Sequence, residues 1–339
     1  MAYLGPGDGP TQVRIYPPSS GLATVRPASV QHLVLIRDAR SIADGLRLDE
    51  HGFELHSRQS GFADFYDEAA VRERYYPEVQ TVMRAITSAL AVIVFDHNVR
   101  SAARATRGEL GVRVPVDQVH NDYTEQSGPR RKQEILDAAG RSDLADRHIA
   151  FVNLWRPIVG PVLDNPLALC DARSVSPEDL VATDILHFGE HDLAVPRHSG
   201  QIYSVRRNPA HQWFYVSEMR PDEVLLLKCY DSRADGRARF MPHTGFRNPA
   251  CPSEFVPRES IEARTLVVRR TPLNSRCAWK RCGHRADLRG QQAMCMRNPD
   301  SRGNQLGKIS RSALLRRVVL MPGSLLVKAW NPDSNRRLV

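Results

Sequence analysis

The sequence predicts a mainly β fold with helical support, built around a double-stranded β-helix, the jelly-roll or cupin-like core. Two observations predict it. From residue 91 onward, short apolar runs rich in β-branched residues alternate with turn residues, which is typical of a sandwich or jelly roll. Before them, Asp67–Leu90 begins with acidic residues and carries apolar positions at helical spacing, which indicates a supporting helix.

The chain divides into four predicted regions. Residues 1–30 are rich in Pro, Gly and Ser and are expected to form an irregular lead-in. Residues 31–90 begin with a strand-like run, His32–Arg37, and contain the helix, so they form an N-terminal α/β support region. Residues 91–270 hold the jelly-roll core. Residues 271–339 are expected to be a basic, poorly ordered C-terminal extension.

Within the core region, β-like runs and one helix are predicted. The helix is expected at about Gly128–Ala139. The predicted strands are Ala91–Phe95, Val112–His120, Ile149–Trp155, Leu167–Cys170, Gln201–Val205, Gln212–Ser217, Glu223–Tyr230 and Ser260–Val268.

Composition indicates a globular protein. The 339 residues are 42% hydrophobic and 25% charged, and a chain of this length can bury a core without disulfide or metal support. The longest apolar run, Ala89–Phe95, is far shorter than the roughly 20 residues of a membrane-spanning helix. The opening residues lack the pattern of a signal peptide, and the six cysteines include no CxxC pair. We therefore expect a reduced, cytoplasmic protein that does not enter a membrane.

The basic charge is confined to the C-terminal segment. The chain carries +9 in total, but residues 269–339 hold 16 Lys and Arg against 3 Asp and Glu, while residues 1–268 hold 31 against 35. A nucleic-acid surface normally spreads Lys and Arg over a folded face, with aromatic residues for stacking. The segment contains only Trp279 and Trp330 as aromatic residues. We therefore expect no nucleic-acid partner; the oligomeric state is left open.

The first chemical motif is His120-Asn121-Asp122, which follows the run VRVPVDQV. On a strand, residues i and i+2 point to the same side, so the imidazole and the carboxylate converge. With 12 histidines, about one HxD or HxE is expected by chance, and a surface His and Asp would explain this one equally well. Two histidines and one carboxylate form the facial triad of non-haem iron enzymes, so a second histidine is needed.

His243 supplies that histidine, in HTGF after the strand-like EVLLLKCYDS. Further on, Arg258 and Ser260 begin the strand RESIEARTLVV. Arginine matches a carboxylate with two parallel hydrogen bonds, and Ser260 would add a hydroxyl from the same side. The ordered set predicts a metal site at His120, Asp122 and His243 beside a binding site for a dicarboxylate. A lone arginine at a strand end is usually a solvated charge. The prediction of a dicarboxylate site therefore depends on the order of these motifs along the chain.

Several motifs in the same order resemble the AsaB-type hydroxylase/desaturase family. They lie between about residues 90 and 268 and are FDHNVRS, VHNDYT, NLWRP, PLALCD, HQWFYVSEM, EVLLLKCYDS, HTGF and RESIEAR. The resemblance implies a jelly-roll oxygenase that uses Fe(II), the co-substrate 2-oxoglutarate and O₂ on small molecules, typically secondary metabolites. It places the iron ligands on His120, Asp122 and His243. About 70 basic residues follow the last motif, where the family normally ends.

The co-substrate clamp implied by the resemblance falls on Arg258, with Arg264 as a substitute on the same face of the strand by period two. Trp155 and Arg156 in NLWRP are candidates for the substrate pocket, with Arg156 pairing a substrate carboxylate. Core packing and a capped turn are the alternative for these two residues. Two other functions remain open: a cupin-like metal-dependent isomerase or hydrolase, and a non-catalytic metal-binding module.

Overall fold

Two facing β-sheets form the body of the protein. The computed structural model describes residues 1–7, 11–270 and 324–327. Among these residues, one sheet has the strand order β5-β14-β9-β16-β6-β7. Its strands are β5 (Phe53–Ser57), β6 (Ala91–Ser101), β7 (Val112–Arg113), β9 (Ile149–Pro157), β14 (Glu223–Asp231) and β16 (Glu259–Val268). We call it the six-stranded sheet.

The opposite sheet has the order β17-β4-β13-β10-β15-β8-β12-β11-β2 within the described part of the chain. Its strands are β2 (Thr11–Ile15), β4 (Val34–Asp38), β8 (His120–Asn121), β10 (Leu167–Cys170), β11 (Leu180–Phe188), β12 (Pro196–Val205), β13 (Trp213–Tyr215), β15 (His243–Gly245) and β17 (Ser324–Val327). We call it the nine-stranded sheet. A separate pair joins β1 (Ala2–Leu4) to β3 (Ser29–Gln31).

A helical stretch covers the outer face of the six-stranded sheet. The main helical stretch runs through α1 (Glu68–Ala70), a π-helical segment (Val71–Tyr75) and α2 (Tyr76–Thr87). Two further helices are α3 (Ala102–Thr106) and α4 (Ser127–Ala138). None of the helices in the described residues is long and apolar enough to span a membrane.

Strand β9 shows why the core has two layers. Its residues alternate between two apolar clusters, as the two-residue period of a strand requires. Phe151 and Trp155 pack between the two sheets, whereas Val152 and Leu154 pack with Met83 of α2 on the outer face. All nine residues of β9 are buried, because both faces of this central strand are covered.

The predicted fold class is confirmed: the protein is mainly β with helical support and a jelly-roll core. The predicted helices at Asp67–Leu90 and Gly128–Ala139 correspond to α1–α2 and α4. One strand prediction is wrong. Val112–His120 is strand only at its ends, β7 and β8, because Pro115 has no N–H for a sheet ladder.

The N-terminal lead-in also differs from expectation. Residues 1–30, expected to be irregular, contain β1 and β2 and the first residues of β3. Strand β2 pairs in parallel with β11, Thr11 opposite Thr183. Such pairing joins segments far apart in sequence, so local composition does not reveal it. β11 itself was not predicted either.

The C-terminal extension stays mostly a prediction. Ser324–Val327 forms β17, which pairs antiparallel with β4 at the edge of the nine-stranded sheet. The rest of residues 271–339 lies outside the described residues.

Gly52 is required where the chain enters β5. It has a positive φ of 85°, and an added Cβ would lie 2.6 Å from Cβ of the buried Met241. We expect Gly52→Ala to lower the free energy of unfolding by about 2–4 kcal/mol, because a left-handed backbone and an overpacked core are both unfavourable for alanine. Denaturant titration measures this. The matched control is Gly45→Ala, whose Cβ would meet nothing within 4 Å; equal stability of both variants would contradict the argument.

Candidate metal centre

Three potential metal ligands meet on the inner face of the nine-stranded sheet. His120 on β8 and His243 on β15 are directly paired across the two strands, and Asp122 follows β8. The ligand atoms of His120, Asp122 and His243 all lie within 4.8 Å of one another. Among the described residues, no other group of three or more His, Cys, Asp or Glu side chains has metal-binding geometry. The sequence predicts all three residues as ligands, and the pairing of β15 with β8 places His243 directly beside His120.

Both imidazoles are oriented by backbone carbonyls. Nδ1 of His120 donates to the Gln118 carbonyl at 2.8 Å, and Nδ1 of His243 donates to the Met241 carbonyl at 3.2 Å. A carbonyl only accepts, so the proton is on Nδ1 and the lone pair of Nε2 is free for a metal. Burial and the neighbouring His243 lower the pKa of His120 to about 4. Its ring is therefore neutral near pH 7, as a metal ligand must be.

The Asp122 carboxylate uses its two oxygens differently. Oδ1 lies 3.7 Å from Nε2 of His120, on the side of the triad. Oδ2 accepts a hydrogen bond from Nδ2 of Asn153 at 2.8 Å and lies 3.6 Å from Nε of Arg264. Burial alone raises the pKa of Asp122, but the positive charge of Arg264, the electrostatic interaction with the two neighbouring imidazoles and the Asn153 hydrogen bond outweigh it and hold the pKa below its ordinary value. Asp122 is thus an ionised ligand with one oxygen free for a metal.

We expect Asn153→Ala to weaken Fe(II) binding by about 10- to 100-fold, the usual effect of removing a residue that orients a metal ligand. Anaerobic Fe(II) titration measures the dissociation constant. The matched control is Asn208→Ala, because Asn208 also donates to a carboxylate, that of Asp179 at 3.1 Å, in another part of the protein. Unchanged Fe(II) affinity in Asn153→Ala would show that this hydrogen bond does not orient Asp122.

A row of polar side chains on the six-stranded sheet faces the triad. Ile261 and Ala263 of β16 pack on the helix-covered outer face, so the alternate residues point inward. Glu262 and Arg264 of β16, and Arg258 just before the strand, line a small cavity that also contains the triad. Ser260 belongs to the same row of alternate residues. The structure therefore agrees with the prediction, made from the two-residue period of the strand, that Arg258, Ser260 and Arg264 lie on one face.

Arg258 is a buried cation without an acidic partner. Its side chain is 3% exposed, one Nη donates to the Asn165 carbonyl, and its guanidinium carbon lies 5.6 Å from the Trp155 ring centre. It makes no ion pair with a carboxylate of the described residues. Its Nε and the hydroxyl of Ser260 are both buried without a hydrogen-bond partner. Buried polar groups are normally satisfied, so this corner fits an anionic ligand that accepts from both.

Arg264 has the opposite environment. Its guanidinium lies 3.3 Å from Asp96, 3.4 Å from Glu262 and 3.6 Å from Asp122. Burial lowers the pKa of Arg264, but the charges of Asp122 and Glu262 outweigh it and raise that pKa above its ordinary value. Its charge is already neutralised by protein carboxylates. Of the two arginines proposed as the clamp, Arg258 is therefore the one available to a ligand.

The two residues proposed for the substrate pocket, Trp155 and Arg156, lie on opposite faces of the six-stranded sheet. Trp155 lines the cavity with the triad. Arg156 points to the other face of the sheet, where Nη1 donates to the carbonyls of Arg58 and Pro221 at 2.8 and 2.9 Å and Nη2 lies 3.7 Å from Glu78. Neighbouring residues on a strand point to opposite faces, which places Arg156 outside this cavity. The sequence interpretation is corrected here: Arg156 anchors the helical layer.

Sequence reasoning missed three polar residues near the triad: Asn153, Glu262 and Arg100. Asn153 lies two residues before Trp155, so period two on NLWRP would have placed both on one face. Glu262 lies between Ser260 and Arg264 in the predicted row. Arg100 belongs to FDHNVRS and lines the cavity from β6.

The donor set fits iron. Two imidazole nitrogens and one carboxylate oxygen on one face, with neighbouring positions left open, form the ligand set of non-haem Fe(II) oxygenases. Arg258 forms no ion pair within the described residues, and its Nε and the Ser260 hydroxyl have no hydrogen-bond partner there, so these two groups fit the far carboxylate of a 2-oxo dicarboxylic acid.

Known proteins resemble most of this chain in sequence. The family described as an oxidoreductase/YMDC permease-like domain matches residues 1–268. The hydroxylase/desaturase efuI of Hormonema carpetanum is 34% identical over 254 residues, 69% of this chain and 82% of efuI. The Fe(II)/2-oxoglutarate-dependent dioxygenase nvfI of Aspergillus novofumigatus is 31% identical over 278 residues, 79% of this chain and 95% of nvfI.

A solved structure extends the likeness to the fold. The iron and alpha-ketoglutarate-dependent endoperoxidase NvfI matches with a TM-score of 0.67 at 27% identity, covering 79% of this chain and 96% of NvfI. The resemblance found in the sequence motifs is thereby confirmed. The family match covers residues 1–268, and the 34% identical efuI matches 69% of this chain. The chain therefore belongs to the AsaB/NvfI-type family of hydroxylase/desaturases and Fe(II)/2-oxoglutarate-dependent dioxygenases.

Proposed function

We propose that this protein is an Fe(II)/2-oxoglutarate-dependent oxygenase that hydroxylates or desaturates a small-molecule substrate of secondary metabolism. The observation that supports this most directly is the pairing of two features in one cavity. A 2-His-1-carboxylate triad lies beside a buried arginine and a serine hydroxyl with unsatisfied hydrogen-bonding atoms. The named relatives efuI and nvfI act in the same reaction class.

The residues have distinct roles in this proposal. His120, Asp122 and His243 hold Fe(II). Arg258 and Ser260 bind the distal carboxylate of 2-oxoglutarate. Arg264 lies beside Oδ2 of Asp122, which leaves Oδ1 free for the metal. When bound, iron and 2-oxoglutarate together supply the oxidation of an unactivated C–H bond by O₂, with release of succinate and CO₂. The chain orients these components and limits the access of water.

Preorganisation is the chain's main contribution. The carbonyls of Gln118 and Met241 fix the two imidazoles, and Asn153 with Arg264 fixes the carboxylate. Trp155, 2% exposed, forms an apolar wall against the guanidinium of Arg258. Reacting groups held within tenths of an ångström accelerate a reaction far more than loosely bound ones, since a displacement of about 1 Å lowers rates by roughly 100-fold.

Anaerobic titration with Fe(II) followed by 2-oxoglutarate tests the proposal. We expect a weak visible charge-transfer band that appears only when both are present. Fe(II) with succinate in place of 2-oxoglutarate is the control. On admitting O₂, succinate should form from 2-oxoglutarate, faster when a suitable substrate is added. A cupin-like isomerase or hydrolase would bind metal but would develop no band and form no succinate, which would contradict the oxygenase function.

A further inference from the structure

A second arginine reaches the same corner of the cavity from another strand. Arg100 of β6 lies directly opposite Ser260 of β16 in the antiparallel register. Arg258 lies two residues before Ser260, so the period-two row puts Arg258, Ser260 and Arg100 side by side. Both guanidinium groups line the cavity that contains the triad.

Neither arginine is neutralised by a carboxylate of the described residues. Arg100 donates to the Val114 carbonyl at 2.8 Å and, like Arg258, makes no ion pair within the described part of the chain. Three acidic groups act on these arginines through space, namely Glu262, Asp122 and Asp164, and each has another partner. Asp122 lies 3.6 Å from Arg264. Glu262 lies 3.4 Å from Arg264, and Asp164 accepts from the backbone N–H of Arg258 at 2.7 Å.

Two like charges in a buried corner are unfavourable unless an anion joins them. Burial, and after it the charge of Arg100, lower the pKa of Arg258 to about 10. Glu262, Asp122 and Asp164 offset these two positive charges only through space, and no carboxylate of the described residues forms an ion pair with either arginine. A carboxylate can accept several hydrogen bonds, so one carboxylate can be shared by both guanidinium groups and the Ser260 hydroxyl.

We propose that Arg100 and Arg258 form a two-arginine site for the distal carboxylate of 2-oxoglutarate, with Ser260 between them. The inference rests on the proposed function and adds Arg100 to it. Arg264 does not belong to this site, because Asp96, Glu262 and Asp122 already surround it. Substrate binding is then left to other parts of the cavity wall.

The test uses Arg100→Gln in the full chain. We expect its dissociation constant for 2-oxoglutarate, measured anaerobically with Fe(II), to rise about 10- to 100-fold, the usual effect of losing a charge-assisted hydrogen bond. Fe(II) affinity should change much less, since Arg100 forms no hydrogen bond or ion pair with His120, Asp122 or His243 among the contacts of the described residues. The matched control is Arg113→Gln. Arg113 of β7 is the exposed cross-strand neighbour of Arg100 and should leave both constants unchanged.

A second probe isolates the distal carboxylate. 2-Oxopentanoate has the same chain length as 2-oxoglutarate but lacks that carboxylate. It should bind the parent protein weakly, and Arg100→Gln should not weaken it further. If the variant loses affinity for 2-oxoglutarate and 2-oxopentanoate equally, Arg100 acts on the fold or on binding of the 2-oxo acid group at the metal. The inference is then wrong.

Thermal melting supplies a readout that is independent of turnover. Removing one of two repelling charges leaves no carboxylate unpaired, so ligand-free Arg100→Gln should melt no lower than the parent. It should lose most of the stabilisation that Fe(II) with 2-oxoglutarate gives the parent. Should Arg100→Gln fail to fold, Arg100→Lys, which keeps the charge but loses the planar fork, is measured for the same weakening.

The outcomes separate the inference from the proposed function. A parent protein that develops no charge-transfer band with Fe(II) and 2-oxoglutarate contradicts the proposed function itself. A parent that binds normally, with Arg100→Gln binding 2-oxoglutarate equally well, overturns the inference alone. An Arg100→Gln variant that raises only the KM for the oxidised substrate would assign Arg100 to that substrate and also overturn the inference.

Discussion

Replacement of His120, Asp122 or His243 by Ala is expected to remove Fe(II) binding and turnover while the chain stays folded. Each residue supplies one of the three ligand atoms that lie within 4.8 Å of one another. Loss of a residue that merely orients a ligand lowers metal affinity by about 10- to 100-fold, so loss of a ligand should exceed that. A core of this size does not depend on the metal for stability. Fe(II) titration and circular dichroism measure the two properties.

Two further variants sharpen this prediction. Asp122→Glu keeps the charge but moves the carboxylate by about one C–C bond, and displacements near 1 Å lower rates by roughly 100-fold. His187→Ala is the control, because His187 is an exposed histidine on β11 outside the cavity. Full activity in any one of the three alanine variants would remove that residue from the metal site.

Arg258→Lys is expected to weaken 2-oxoglutarate binding by about 10- to 100-fold, with little change in Fe(II) affinity. Lysine keeps the positive charge but loses the planar fork that matches a carboxylate, and a charge-assisted hydrogen bond contributes about 1.5–3 kcal/mol. Among the described residues, no acidic side chain forms an ion pair with the buried Arg258, so the effect should appear in the dissociation constant of 2-oxoglutarate. Anaerobic titration of the Fe(II) protein measures it.

Arg264→Lys is the comparison, and the structure predicts a different response. Arg264 bridges Asp122, Glu262 and Asp96, so its replacement should weaken Fe(II) binding more than 2-oxoglutarate binding. If instead Arg264→Lys abolishes co-substrate binding and Arg258→Lys does not, the clamp is Arg264. Normal 2-oxoglutarate binding in both variants would mean that neither arginine contacts the co-substrate.

The sequence by itself predicted features that depend on local periodicity or on motif order. The strand period of two predicted that Arg258, just before β16, shares a face with Ser260 and Arg264 of that strand. The HxD spacing predicted that His120 and Asp122 lie on one side. These predictions need only the geometry of one strand, in which alternate side chains share a face. The order of the motifs along the chain then indicated the family, which the comparisons confirmed.

Pairing between distant strands was decided only by the tertiary structure. His243 lies beside His120 because β15 pairs with β8, and Arg100 lies beside Ser260 because β6 pairs with β16. Sheet register is set by core packing and turns over the whole chain, and a single sequence does not encode it in any local pattern. The same holds for β2, whose parallel partner β11 is more than 160 residues away.

The choice between candidate residues for one role likewise depended on the tertiary structure. Arg258 and Arg264 are the same residue type in one row, and the sequence left both as clamps. The structure distinguishes them by their neighbours, because within the described part of the chain three carboxylates lie close to Arg264 and none forms an ion pair with Arg258. Trp155 and Arg156 are separated by the face of β9 that each occupies. The availability of a charge depends on which groups surround it in space, and that environment exists only in the folded chain.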